Sequence, residues 1–405
     1  MAKKRKIQRT ARKETVSREP IANIKVVGIG GGGGNAASRM SRNFIRGVEF
    51  IAINTDHQDL DHSEVRKKIY IGKNLTRGLG SGMNPDLGRQ AAEENRSEIA
   101  ETLKGADIVF LTAGFGGGTG TGATPIVAEV AKQNGALTVA VVTKPFAFEG
   151  SQRAKIALEG LAKLKDKVDA LIVVPNDRIF SIISKDTPVL KAFEAIDEVL
   201  RNALHGIVEL IITPGIINVD FADVKAIMQD AGSAIVGVSL ASGQDRAVKA
   251  VNEALRSPLL EVTAEGAKGV ILGISGSRDL KMAEINEAAK LVAQAADPAA
   301  RIIFGAYHDR SLKDNQIKIT LIAAGFNGAS AANSLFGAAA LSADKQFFSP
   351  KFEKFEKPSD SPFAPKENPQ PALNLNKNPL PETKKPEKQE DDVWDIPTFL
   401  RKRKK

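Results

Sequence analysis

From about residue 24 the chain alternates short, continuously apolar runs with longer segments whose apolar positions recur at helical spacing. The runs KVVGIG (Lys25–Gly30), EFIAINTD (Glu49–Asp56), ADIVFLTAGF, ALTVAVVT and ALIVVPN predict strands. Helices are predicted between them: one from about Asn35, one over PDLGRQAAEENRSEIAETL with Pro85 at its start, and one over TPIVAEVAKQNG. Strands that are apolar on both faces and separated by helices make a parallel sheet covered on both sides. A long helical pattern then runs from about Pro188 to Ile212. Beyond it, FADVKAIMQD predicts a helix, SAIVGVSLAS a strand followed by a helix to about Ser257, GVILGISG a strand followed by a helix to about Ala296, and RIIFGAYHD and QIKITLIAAGF two further strands. The pattern therefore divides the folded part into an α/β domain over residues 23–187, a central helix over 188–212 and a smaller α/β domain over 213–330.

Composition changes this picture at the ends. Of a net charge of +9, residues 1–20 carry eight Lys/Arg against two Glu, and residues 401–405 carry five cations, so residues 21–400 stand at −2. The charge belongs to the tails, which argues against a specific nucleic-acid-binding body. Residues 1–22 are expected to be a disordered basic arm. Nine of the 19 prolines fall between Pro350 and Pro386 among Lys, Glu and Asn, so residues 331–390 predict a disordered linker. The motif DDVWDIPTFL, holding the chain's one tryptophan, marks residues 391–405 as a separate peptide. There are no cysteines and four histidines, none in HExxH spacing, which removes thiolate and His-built metal sites. No apolar run approaches the ~20 residues of a membrane-spanning helix, and the N-terminus has no apolar stretch of the signal-peptide kind.

Two glycine runs carry the chemistry. GIGGGGGNAASRM (Gly28–Met40) lies between a strand and a helix, where backbone N–H groups and the helix dipole receive phosphate. It also satisfies G-x-G-x-x-G at Gly28, Gly30 and Gly33, with Asp56 at the end of the next strand, which keeps an NAD-dependent oxidoreductase open. The second run, FGGGTGTGATP (Phe115–Pro125), again joins a strand to a helix. A dinucleotide fold needs one such loop; two suggest one phosphate chain held from both sides, with Thr119 and Thr121 adding hydroxyl donors. No GxxxxGK[ST] is present, so charge falls to dipoles, amides and Mg²⁺.

Other candidates have two readings each. In KPFAFEGSQR, Glu149 and Arg153 can meet ribose and phosphate, or pair with each other on the surface. Phe193 and Asp197, one turn apart, can stack on a base and accept its N–H groups, favouring guanine, or be a core aromatic and a surface acid. Asn218, Asp220 and Asp223 can polarise a water, or cap a helix.

GGGTGTG at Gly116–Gly122, with GGGGN (Gly31–Asn35), NTD (Asn54–Asp56), TRGLGSGMNP, KPFAFEG, PND (Pro175–Asp177) and NVDFADVK, resembles the tubulin superfamily and, within it, the FtsZ family of cell-division GTPases. The likeness covers about residues 23–330, and DDVWDIPTFLRK is similar to that family's partner-binding terminal peptide. The basic arm, and Glu198 where relatives often carry an amide, depart from it. The resemblance implies a tubulin-like fold. It implies a GTPase that polymerises head to tail and forms the division ring on the cytoplasmic side of the membrane at mid-cell. Carried over, Gly31, Gly32, Gly33, Gly34, Asn35, Gly118, Thr119 and Gly120 hold the phosphates of GTP or GDP. Glu149 and Arg153 hold the ribose, and Asn176, Phe193 and Asp197 the guanine, with Arg39 and Asn54 nearby. Asn218, Asp220 and Asp223 act on the adjacent subunit's GTP, and Mg²⁺ is held mainly by phosphates and water. Trp394–Leu400 is expected to bind membrane-anchoring partners such as FtsA.

Overall fold

The computed structural model describes residues 22–326 apart from 43, 46, 185 and 257–265, so the expected linker and terminal peptide, and the expected arm except Ala22, which is buried in the core, lie outside the described residues. The chain opens with β1 (Ile24–Ile29), α1 (Gly30–Arg42), β2 (Val48–Asn54), α2 (His57–His62), β3 (Lys67–Tyr70) and α3 (Lys73–Thr76). It continues through α4 (Pro85–Glu94), α5 (Arg96–Leu103), β4 (Ile108–Gly114), α6 (Thr119–Gln133), β5 (Leu137–Lys144), α7 (Ser151–Lys165) and β6 (Ala170–Pro175). The long helix α8 (Val189–Ile212) leads to α9 (Phe221–Met228), β7 (Gly232–Ser242), α10 (Arg246–Leu255) and β8 (Gly269–Gly276). Then come α11 (Met282–Ala295), β9 (Arg301–His308) and β10 (Gln316–Ala324).

Strands β3-β2-β1-β4-β5-β6 pair in parallel in that order. Strand order reverses between β1 and β4, which leaves a crevice at their carboxyl ends, the place where open α/β sheets bind ligands. Alternate residues of each strand face opposite layers. In β4, Phe110 joins Met40 of α1 and Leu200 and Leu204 of α8 in one core, whereas Val109 and Leu111 join Ala91, Ile99, Val127 and Leu161 of α4–α7 in the other. Continuous apolar strands are thus consumed by helices on both faces.

The second sheet continues as β7-β10-β8-β9, antiparallel around β10 and parallel between β8 and β9. Only two residue pairs, Ala170–Gly232 and Leu171–Ser233, join it to β6. The stronger link is α8. Its apolar face buries Leu204, Ile207 and Val208 in a core shared with Val141 and Ile172 of the first sheet and Ile271 and Ile322 of the second. Lys318 on β10 donates to Glu209 of α8 at 2.9 and 3.0 Å and to Asp309 at 3.0 Å. Tyr307 Oη donates to the Leu210 carbonyl at 3.0 Å.

Candidate nucleotide site

The first glycine run does not precede its helix as a loop. It forms the helix's first turn, since α1 starts at Gly30 directly after β1 rather than near Asn35. Glycine is a poor helix former, but here the helix lies on backbone. A Cβ on Gly30, whose φ is +70°, would sit 2.8 Å from Gly120 N, and one on Gly33 would collide with the Thr112 carbonyl. The starts of α1 and α6 therefore touch across the crevice. Their unpaired N–H groups converge on one space, as helix N-termini do around an anion.

That space is a cavity of about 310 Å³. Gly30 to Gly33, Gly117 to Gly120, Glu149, Arg153, Asn176, Phe193 and Asp197 all line it. Of the residues picked out in the sequence, Gly31, Gly32, Gly33, Gly118, Thr119, Gly120, Glu149, Arg153, Asn176, Phe193 and Asp197 meet here. Gly34 and Asn35 sit further along α1 and do not line it. Nor do Asn218, Asp220 and Asp223, which occupy the turn after α8 and the start of α9.

Both threonine hydroxyls are hydrogen-bonded within the protein. Thr119 Oγ1 is bonded to Thr55 Oγ1 at 2.6 Å and to Ser81 Oγ at 2.8 Å, so this hydroxyl chain ties the second glycine run to the residue that follows β2 and to the 78–84 loop. Thr121 Oγ1 accepts from Gly116 N at 2.9 Å and shapes the turn. Both hydroxyls brace the cradle, and Thr119 also lines the cavity.

Glu149 accepts from Phe146 N at 2.9 Å and from Arg153 at 2.6 Å. Asp197 pairs with Arg39 of α1. Each carboxylate of the cavity thus already faces a cation or an amide. Phe193 stands edge-on to the buried Phe146, with ring centres 5.8 Å apart, and half of it remains exposed for a planar ligand. Asn176 Oδ1 is buried and has no hydrogen-bond partner. Glu198 pairs with Arg201 at 2.8 Å. Asp220 caps α9, its carboxylate accepting from Asp223 N at 2.8 Å, and Asn218 accepts from Gly215 N at 2.6 Å.

Sequence reasoning passed over Ser81, Thr112, Thr143 and Asp59. The first three line the cavity; Ser81 lies inside TRGLGSGMNP without having been given a role, while Thr112 and Thr143 sit in strands. Asp59 Oδ2 accepts from Asn54 at 2.7 Å and would lie 3.3 Å from a Cβ on Gly31. Burial, and then the charge of Asp56, raise its pKa above the ordinary 3.8.

A parallel sheet reversing at β1 and β4, two glycine-built helix starts meeting over that point, and a long helix leading to a second sheet define a tubulin-like nucleotide-binding protein. Residues 23–184 match the Tubulin/FtsZ family, GTPase domain, and residues 232–327 match the FtsZ family, C-terminal domain. Among solved structures, the chain is similar to an empty FtsZ dimer from M. jannaschii at 48% identity over 75% of this chain and 88% of that one, with a TM-score of 0.71. It shares the fold of CetZ2 from Haloferax volcanii in a GTPγS-bound protofilament, at 22% identity over 78% and 98% of the two chains and a TM-score of 0.67. CetZ1 from the same organism, a GDP-bound monomer, gives 21%, 80%, 100% and 0.68. The chain belongs to the FtsZ family of tubulin-like GTPases. This sets aside the dehydrogenase reading, and Asp56, its ribose candidate, instead caps α2 by accepting from Asp59 N at 3.1 Å.

Proposed function

We propose that the chain is a GTP-hydrolysing cytoskeletal protein whose protofilaments form a division ring under the membrane at mid-cell. One observation supports the guanine site above others. An unpartnered Asn176 acceptor, a half-exposed Phe193 ring and the Asp197 carboxylate line the same cavity as the glycine runs. Guanine offers N–H donors on the edge where adenine offers an acceptor, so acceptors select it. Glu149 and Arg153 take the ribose, exchanging part of their mutual pairing for its hydroxyls.

The glycine runs supply donors to the phosphates but no group able to orient water. Asn218, Asp220 and Asp223 can do so, and they lie away from their own chain's cavity. In head-to-tail assembly they complete the cavity of the next subunit, so hydrolysis follows contact. Mg²⁺ would take oxygens from phosphates and water, because Glu149 and Asp197 are already engaged with Arg153 and Arg39. Among the described residues, no group of three or more His, Cys, Asp or Glu could hold a metal ion.

No helix among the described residues is long and apolar enough to cross a membrane. Attachment is assigned to Trp394, Ile396, Phe399 and Leu400, an apolar peptide suited to a groove on a membrane-anchoring partner such as FtsA. The test is light scattering with parallel phosphate release. GTP should trigger both together and ATP neither, while deleting residues 391–405 should preserve both and abolish membrane recruitment. Phosphate release without assembly would overturn the polymer reading, and normal recruitment of the truncated chain would overturn the tail assignment.

A further inference from the structure

Three buried side-chain polar atoms among the described residues have no hydrogen-bond partner: His57 Nε2, Thr112 Oγ1 and Asn176 Oδ1. Two of the three belong to residues lining the nucleotide cavity, and the sequence motifs point only to Asn176. Native structures leave few such groups, and each calls for a ligand, a water or a functional cause.

Thr112 is fully buried on β4. Its register neighbours are Gly28 on β1 and Val141 on β5. Phe110, on the same face of β4, and Val141 belong to the core beneath α8, together with Leu200. Side chains alternate across a strand, so Thr112 stands on the α8 side of the sheet. Gly28 has no side chain to offer it, and Val141 has no polar atom. The α8 residues lining the same cavity are Phe193, Ile196, Asp197 and Leu200. A hydroxyl has one donor and two acceptor sites, and this one finds no taker in the protein. Its strand lies between β1, which feeds the first glycine run, and β5 and β6, which lead to Asn176.

We infer that Thr112 is a positioning residue for the nucleoside half of the bound guanine nucleotide, its hydroxyl holding one buried water that bridges to the nucleoside. The site is polar enough for such a water, which needs two or more polar partners. Thr112 supplies one and the ligand the other. The inference rests on the cavity being the GTP site, and it adds a residue that no glycine or carboxylate motif includes.

The test uses the full-length chain freed of nucleotide. Thr112→Val keeps the shape and removes the hydroxyl, and Thr112→Ser keeps the hydroxyl. Thr112→Val should weaken GTP and GDP binding alike, by roughly five- to tenfold for one lost hydrogen bond. It should raise KM for GTP while leaving kcat at saturation near the parent's. Thr112→Ser should bind within about twofold of the parent. The nucleotide-free Thr112→Val protein should melt no lower than the parent, because it loses an unpaired buried hydroxyl. A purely structural role would give the reverse: lowered melting without nucleotide and unchanged GTP affinity in the folded fraction. Parental GTP affinity in Thr112→Val, or failure of Thr112→Ser to restore it, would overturn the inference. Asn176→Ala and Asp197→Ala keep the two readings apart. If they weaken GTP binding and Thr112→Val does not, Thr112 alone falls. If none of the three matters, the base site itself is misplaced.

Discussion

Asp59 is an anion set beside a phosphate cradle, 3.3 Å from where a Cβ on Gly31 would lie. An uncompensated carboxylate at that distance opposes a polyphosphate, and the Asn54 amide bonded to it moderates the charge without cancelling it. Asp59→Asn should therefore bind GTP several-fold tighter at pH 7.5. Burial, and then the charge of Asp56, raise the Asp59 pKa, so as pH falls its carboxylate takes up a proton sooner than an ordinary aspartate does. The advantage of the variant should shrink between pH 7.5 and pH 5, as read by titration with GTP at each pH. A constant ratio across that range, or weaker binding by the variant, would show that Asp59 helps the phosphate side. The residue also marks a limit of sequence reading. Glycine runs announce a cradle because few other needs explain so many glycines between strand and helix. One acid in NTDHQDL announces nothing until folding brings α2 beside α1. The same is true of Thr112, an ordinary strand threonine until the register places it beside Gly28 and Val141.

Among the elements, α9 tests a cap against a catalyst. Asp220 accepts from Asp223 N at the first turn, an arrangement that stabilises a helix by about 1 kcal/mol. Asparagine caps as well as aspartate but carries no charge. Asp220→Asn should therefore melt like the parent and lose most phosphate release, whereas Asp220→Ala should lose both. If Asp220→Asn retains full turnover, the cap is the residue's whole role. Element types were legible where apolar periodicity was strong: α8 spans Val189–Ile212, against an expectation of about Pro188 to Ile212. Boundaries failed where packing outweighed propensity. α1 begins on glycines because a side chain at Gly30 would meet the backbone of α6 and one at Gly33 the backbone of β4. The segment after Pro85 breaks into α4 and α5 at Asn95, whose side chain accepts from Gly72 N at 3.0 Å and donates to Glu98 at 3.0 Å. The short elements α2, β3 and α3 have too few residues to show a period.

For the whole molecule, the question is whether one chain can hydrolyse GTP alone. The cavity has donors, an aromatic wall and two engaged carboxylates, while Asn218, Asp220 and Asp223 stand elsewhere in the same chain. No sequence pattern separates a site built within a chain from one completed by a neighbour, so this part of the reading came from resemblance alone. If the site is shared, specific activity should rise from near zero above a critical protein concentration. Asp223→Ala should bind GTP like the parent and turn over at least ~10² more slowly, the loss expected when a water-orienting group is removed. A mixing experiment isolates the mechanism, and it needs a second variant that cannot hold GTP yet remains folded. Gly118 is unsuitable, because a Cβ there would lie 2.8 Å from the Asn84 backbone. Gly117 lines the cavity, and a Cβ there meets nothing within 4 Å, so Gly117→Trp can fill the cradle without displacing the chain. Asp223→Ala holds nucleotide without an intact carboxylate set, and Gly117→Trp offers the carboxylates without nucleotide. Each alone should be inactive. Mixed and co-assembled, they should recover phosphate release, because half-sites of opposite kind meet at their contacts. Two inactive variants that co-sediment yet recover nothing, or wild-type activity that is flat with protein concentration, would place the chemistry within one chain.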